Sequence, residues 1–531
     1  MFALIQNFNY LTVRFNFDES NNMRHLLRKK TYLATIAVLA LAGCASIQPP
    51  AIEAGTLLEQ GKADLATARK DVEPIAGELT IDQALARALK YNLDRRAKMM
   101  DEALAFRQLD VSHFDMLPKL LAQAGYTNRD NDKITLSRNP DGSINNNRVT
   151  TQEREHTLYS LNFTWSLLDL GVGYYNTRQQ AERVQIAGEK RRKAMHLLMQ
   201  DVRSAFWRAY SAQKLRGEVQ ATTRLAEEAL DDSRKVEAER LRNPVDALRY
   251  QRQILENLRL LEAVDAELSS AKIELAALIN APLAHNLRLV EPMEAAGRAP
   301  LDVPLEVMEE TAITQNPDIR ENHHNARIAR EETRKTLVRL FPNLIFNYGY
   351  HYDTDSYQVN NNWREASVQI SFNLFNLLTG PTQMKMAEAG IALADQRRVA
   401  TQMAILAQVH LARQQYANAL QQFQRADAIW QTDAKIAAHI KNRETAQTQS
   451  KLDVVANKTT SILSLLRRYQ AMSQLQTAEA RLQATLGVEP AIGSVFEISL
   501  SDLSRDIGRA RNVWSGLQAT TQAQPSGGAA Q

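Results

Sequence analysis

Residues 159–171 read YSLNFTWSLLDLG, and their pattern breaks with the chain around them. Tyr159, Leu161, Phe163, Trp165 and Leu167 alternate with Ser160, Asn162, Thr164 and Ser166, the period-two signature of a strand with one apolar and one polar face. The flanking sequence is crowded with Ala, Leu, Gln, Arg and Glu, which favours long helices. A two-faced strand spliced into helix raises the question of which solvent its apolar face meets.

The stretch recurs. Val368, Ile370, Phe372 and Leu374 stand 207 residues after Leu161, Phe163, Trp165 and Leu167, and the same offset carries Val202 onto Val409, Asp246 onto Asp453 and Asn280 onto Gly487. Upstream the offset is 224: Ala88-Leu89-Lys90-Tyr91-Asn92-Leu93-Asp94 returns as Ala312-Ile313-Thr314-Gln315-Asn316-Pro317-Asp318, Leu117-Pro118 as Phe341-Pro342 and Gly125-Tyr126 as Gly349-Tyr350. The two offsets differ because the polar loop Thr127–Glu155 is longer than its partner Asp353–Arg364. The chain is a duplicated unit with one loop insertion.

Each unit reads helix, strand, loop, strand, long helix, helix. The pattern predicts one helix over Ile81–Leu117 ended by Pro118. Hairpins follow at 119–168 and 343–376, the first with a bare polar loop. Four strands of about ten residues, each with an aromatic-rich apolar face and a Ser/Asn/Gln/Thr/Gly face, suit tilted strands crossing hydrocarbon with their polar face toward a lumen. The lipid-facing residues are then Leu161, Phe163, Trp165, Val368, Ile370 and Phe372. Four strands cannot close around water, so several chains must share one barrel.

From Tyr174 to Leu241 no proline intervenes, and Met195, Leu198, Val202, Ala205, Ala209, Ala212, Leu215, Val219, Thr222, Ala226 and Ala229 recur every three or four residues, a coiled-coil seam. The expected partner seam is Leu248, Leu255, Leu258, Leu261, Leu268, Leu275 and Leu278.

The net charge is +4, but residues 1–43 hold five basic and two acidic groups, leaving 59 and 58 in the rest, so nothing resembles a nucleic-acid footprint. That leader has a basic run from Met23 (MRHLLRKK), a short apolar core Tyr32–Leu39, and Leu41-Ala42-Gly43-Cys44. It reads as a secretory signal, and its end resembles a lipobox whose cysteine thiol is acylated, with Ala45 favouring the outer membrane. Met1 and Met23 are both candidate starts. No later apolar run is long enough for a membrane-spanning helix.

The signal with lipobox, the duplicated A-L-x-x-N-x-D opening, the proline-ended helix, W-S-L-L-D-L-G-V-G after the strand and D-A-L or D-V-V opening the closing helix resemble the TolC family of outer-membrane efflux proteins, in its lipoprotein form. The resemblance covers about Leu79 to Gly487. It implies a mostly α fold with a transmembrane β-barrel: a homotrimer whose twelve strands, four per chain, form one barrel and whose coiled-coil helices form a periplasmic tunnel. It also implies a periplasmic adaptor and a proton-driven or ATP-driven inner-membrane transporter docking at the tip. Cys44 matches the lipidated cysteine. Asp453, with Asp246 as its first-repeat counterpart, matches an aspartate at the periplasmic aperture, although Ala456 stands where the pattern has a second one. A carboxylate ring there would favour cations, while helix capping by Asp453 is the plainer reading.

His323-His324 cannot face together on a helix and read as solvated surface. Lys190-Arg191-Arg192-Lys193 reads as a wet helix face. No Walker loop, HExxH, GxSxG or paired CxxC occurs, so neither catalytic residues, metal ligands nor a cofactor are expected. The organisation is 1–43 upstream extension and signal, 44–78 lipidated linker, 79–290 first repeat, 300–490 second repeat and 491–531 tail, with Gln522–Gln531 read as disordered. An export duct is the leading reading; a pore-less periplasmic coiled-coil scaffold lipoprotein is the alternative.

Overall fold

The computed structural model describes residues 51–138, 140–239, 244–283, 287–292, 297–444, 451–489, 495, 497–510, 514 and 516–518. The chain divides into two compact units, residues 1–70 and 71–531. In the first, the described element is helix α1 (Ala54–Arg69), which has no buried residue. Cys44 and Gln522–Gln531 lie outside the described residues.

The second unit contains both repeats. The first runs α2 (Ile81–Tyr91), α3 (Leu93–Phe114), β2 (Lys119–Asn128), β3 (Ile134–Arg138), β4 (Ile144–Thr150), β5 (Glu155–Ser166), α4 (Leu167–Ala238) and α5 (Pro244–Leu278). The second runs α7 (Leu305–Gln315), α8 (Pro317–Arg339), β7 (Asn343–Asp353), β8 (Asn362–Ser371), α9 (Asn376–Glu444) and α10 (Lys451–Leu486). Short pieces complete it: β1 (Glu78–Leu79) pairs parallel with β6 (Arg288–Leu289), α6 (Ala299–Asp302) touches α9, and α11 (Leu500–Ala510) packs on α2. At 1.5 Å per residue α4 is about 108 Å long.

The first helix is two helices rather than the single one expected over Ile81–Leu117. Asn92 leaves the helical region at ψ 129°, closing α2 and capping α3 by accepting from the Arg95 N–H at 3.0 Å. Its amide donates to the Leu278 carbonyl at the end of α5, 3.2 Å away. The duplicate repeats this with Asn316, which accepts from Asp318 and Ile319 and donates to the Thr485 carbonyl at 2.8 Å. Both closing helices end in a left-handed residue, Asn280 at φ 50° and Gly487 at φ 74°. The amide one residue later bonds five residues back in each: Ala281 to Ala276, Val488 to Gln483. Only glycine fits at 487, because a Cβ there would sit 2.3 Å from the Gln315 carbonyl oxygen at the second helix break.

All eleven seam residues expected on α4 are buried. The eight from Met195 to Val219 join Leu85 and Leu89 of α2, Leu261 and Leu275 of α5 and Tyr469 of α10 in one apolar core, while Ala226 and Ala229 pack in a second cluster with Ile254, Leu258 and Val455. Trp207, Tyr210 and Tyr469 make successive edge-on contacts within it, at 6.2 and 5.7 Å. The seam on α5 differs from expectation: Ala247, Ile254, Leu261, Leu268 and Leu275 recur every seven residues and are buried, whereas Leu248 and Leu255, one residue on and about 100° around the helix, are exposed.

The basic quartet on α4 is wet at Lys190 and Lys193, which are exposed, and half-buried at Arg191 and Arg192, and each member meets an acid. Arg191 binds Glu102 at 2.7 Å, Arg192 binds Glu189 at 2.6 Å and also Glu489, Lys193 binds Asp318 at 2.8 Å and Lys190 approaches Glu321 at 3.7 Å. Glu189 lies on α4 itself and the other acids on α3, on α8 and just past α10, so the quartet ties the starts of both repeats onto α4. Buried Arg95 nearby is pushed down to about 10 by desolvation, with Arg191 adding repulsion. His324 is likewise not free surface: its Nδ1 meets Glu182 of α4 at 2.5 Å, while His323 is exposed.

Candidate functional site

β2, β5, β7 and β8 form one antiparallel sheet in the order β2-β5-β7-β8. Its register brings like faces together. Leu120, Ala122 and Ala124 stand opposite Phe163, Leu161 and Tyr159, which in turn face Tyr348, Tyr350 and Tyr352. Leu344 and Phe346 stand opposite Ile370 and Val368. Tyr159 contacts Tyr352 and Trp165 contacts Phe346 at ring separations of 6.2 and 6.4 Å. This face stays open to solvent in the single chain: Phe163 is 37%, Tyr348 48% and Ile370 71% exposed. Phe372 falls just past the end of β8 and is half-buried.

The other face carries Gln123, Ser160, Asn162, Thr164, Asn347, Ser367 and Gln369. Gly349 is level with its neighbours' side chains: a Cβ would lie 2.5 Å from His351 Nε2 and 2.7 Å from Asn162 Oδ1. His351 stacks on Trp363 at 5.1 Å. Among the described residues, the outer edges of β2 and β8 pair with no strand, which leaves two rows of backbone donors and acceptors.

Two features were not foreseen. The loop between β2 and β5 is not bare; β3 and β4 pair in it as a separate hairpin, turned by Asp141, which accepts from Ser143, and by Gly142 at φ 87°. At the loop end of the sheet the hairpins are clipped together. Buried His156 holds Asp353 at 2.8 Å, the Glu153 amide donates to Asp355 at 3.1 Å, and the Thr157 amide donates to Thr354 Oγ1 at 2.8 Å. Nothing local signals these pairs, which span about two hundred residues. At the other end a local signal exists: Ser166 caps α4 by accepting from Asp169 at 3.0 Å, with the hydroxyl anchored on Asn343 at 2.9 Å.

Asp246 lies in the first turn of α5, exposed, with Arg249 at 3.8 Å. Asp453 is the third residue of α10, and its side chain lies outside the described residues. No described helix is long and apolar enough to cross a membrane, and no cluster of metal-ligating residues occurs among the described residues.

No protein-family model matches the sequence, and no curated protein matches it. Solved structures do share its fold. The Campylobacter jejuni CmeC outer membrane channel superposes with a TM-score of 0.60 at 11% identity, covering 80% of this chain and 89% of that one. The outer membrane protein VceC of Vibrio cholerae gives 0.55 at 14%, covering 77% and 96%. The open state of the Neisseria gonorrhoeae MtrE outer membrane channel gives 0.54 at 15%, covering 77% and 88%. The chain has the fold of the TolC-type outer-membrane channels.

Proposed function

We propose that this chain, built on the fold of outer-membrane channels, is one subunit of an export duct carrying substrates from the periplasm to the exterior. The observation that carries the reading is the two-faced sheet with both edges open. Hydrocarbon satisfies no backbone hydrogen bond, so such a sheet enters a membrane only when each edge has found another strand. The edges differ, β2 on one side and β8 on the other, so the contact between copies is head-to-tail and closes as a ring. Three copies make a twelve-stranded barrel whose apolar face meets lipid through Leu161, Phe163, Trp165, Val368, Ile370 and Phe372.

Exposed apolar stripes on the helices support the same ring. Leu93, Met100, Leu104 and Val111 share one face of α3, which leads into β2. Met386, Leu393 and Leu411 share one face of α9, which leaves β8. The head-to-tail contact covers both. The long helices extend the barrel as a periplasmic tunnel, with Cys44 as lipid anchor and Asp246 and Asp453 near the aperture. Exposed Val245, Leu248 and Leu255 on α5 offer a periplasmic adaptor its footing. Energy comes from a proton-driven or ATP-driven inner-membrane transporter, in a tripartite efflux or type I secretion system.

The test is conductance of the purified full chain in a planar lipid bilayer, alongside its native mass. The duct predicts a trimer and stepwise, ohmic currents. A trimer that inserts without conducting would replace the duct with the scaffold reading.

A further inference from the structure

The duplication fixes how neighbouring copies join. Within the chain the two hairpins have one register: Lys119 pairs with Thr164, and Asn343, 224 residues after Lys119, pairs with Ser371, 207 residues after Thr164. The offsets read from the sequence therefore hold residue for residue in the sheet. The chain contains one junction between repeats, β5 against β7, in which Leu158 faces Asp353 and Ser166 faces Ile345. Among the described residues the second junction has no partner inside the chain, because its strands are the two open edges.

We infer that β8 of one copy pairs antiparallel with β2 of the next in the register of the β5–β7 junction transposed by these offsets, setting Glu365 opposite Arg129 of the neighbouring copy. This rests on the ring reading above and adds its register. Leu158 transposes to Glu365 and Asp353 to Arg129, which puts opposite charges face to face on the polar side of the seam. Both residues are exposed, and neither side chain has a partner among the described residues. The same register sets Val368 against Tyr126, Ile370 against Ala124 and Phe372 against Ala122, apolar on apolar, and Ser371 against Gln123, polar on polar, with Ala366 against Asn128 toward the loop end. A slip of one residue would turn every apolar side chain of one edge toward the pore.

The test uses the full chain in outer-membrane preparations, with Glu365→Cys combined with Arg129→Cys. Directly opposite residues lie about 4.5–5.5 Å apart and can form a disulfide, whereas diagonal neighbours at about 7–8 Å cannot. Oxidation is expected to give linked dimers and trimers on a denaturing gel for that pair. Glu365→Cys with Thr127→Cys, or Ser367→Cys with Arg129→Cys, should yield at least about tenfold less. A trimer that links through a shifted pair, or through none, overturns the register and leaves the ring standing. A monomer by native mass overturns both. Charge reversal gives a check without thiols: Glu365→Arg and Arg129→Glu should each lower the temperature at which the trimer dissociates, and the double variant should restore it. Additive losses in the double variant would also refute the pairing.

Discussion

The strand sheet and the helical junction answer opposite demands with the same chain. At the junction the apolar side chains and the charges are matched within the chain: α2, α4, α5 and α10 bury an apolar core, and the basic quartet of α4 finds its acids on α3, on α4 itself, on α8 and past α10. The sheet completes its inner strand pairing and its loop-end clip, but neither its apolar face nor its edges. Its apolar face is exposed and both edges are open. The difference teaches that burial within one chain measures what that chain completes alone. Apolar side chains left bare in an ordered, register-perfect sheet mark surface meant for another medium.

That contrast can be broken most severely at the junction. Phe206 is fully buried in the core, so Phe206→Ala should cost about 3–5 kcal/mol, seen as a lower melting temperature of the helical signal by circular dichroism. Loss of trimer with unchanged helix melting would mean that the junction is not an independent core. On the sheet, Phe163→Lys should cost about 2–4 kcal/mol if its depth is mid-membrane and should abolish heat-resistant trimer, while Asn162→Lys on the opposite face is tolerated. Equal tolerance at both positions would remove lipid from the account of the apolar face.

The smallest effect sharpens the contrast by pH. Burial pushes His196 of α4 below the usual imidazole range, opposed by Glu489 and reinforced by Arg192. A depressed folded pKa means that the unfolded chain binds the proton more readily, so stability is full above about pH 6.5 and falls as pH drops below it. Chemical denaturation midpoints across pH 5–8 should show that slope for the native chain and a flatter one for His196→Gln. The heat resistance of the trimer, which reads the sheet, should be indifferent to the substitution.

Much of this architecture was legible because duplication and periodicity are local or additive signals. The two-faced strands, the α4 seam and both offsets follow from spacing alone, and the register of the two hairpins obeys those offsets. The seam on α5 is ambiguous in the sequence because leucines outside the heptad, Leu248 and Leu255, compete with Ala247 and Ile254 inside it. The helix break has only a faint local mark: Asn92 and Asn316, each two residues ahead of an aspartate, carry the composition of a cap. The hairpin in the polar loop is hidden because β3 and β4 have short, mixed patterns that turn residues obscure.

By itself the sequence determined the elements, the duplication and the faces of each strand, since these depend on side-chain periods of two and about 3.6 residues. Only the tertiary structure decided which groups are satisfied across sequence distance. It set Asn316 on the Thr485 carbonyl, Gly487 against Gln315, the α4 quartet on its five acids and His156 on Asp353. Such pairs are fixed by the requirement that buried polar groups find partners, and a linear pattern does not encode which partner the fold brings within reach.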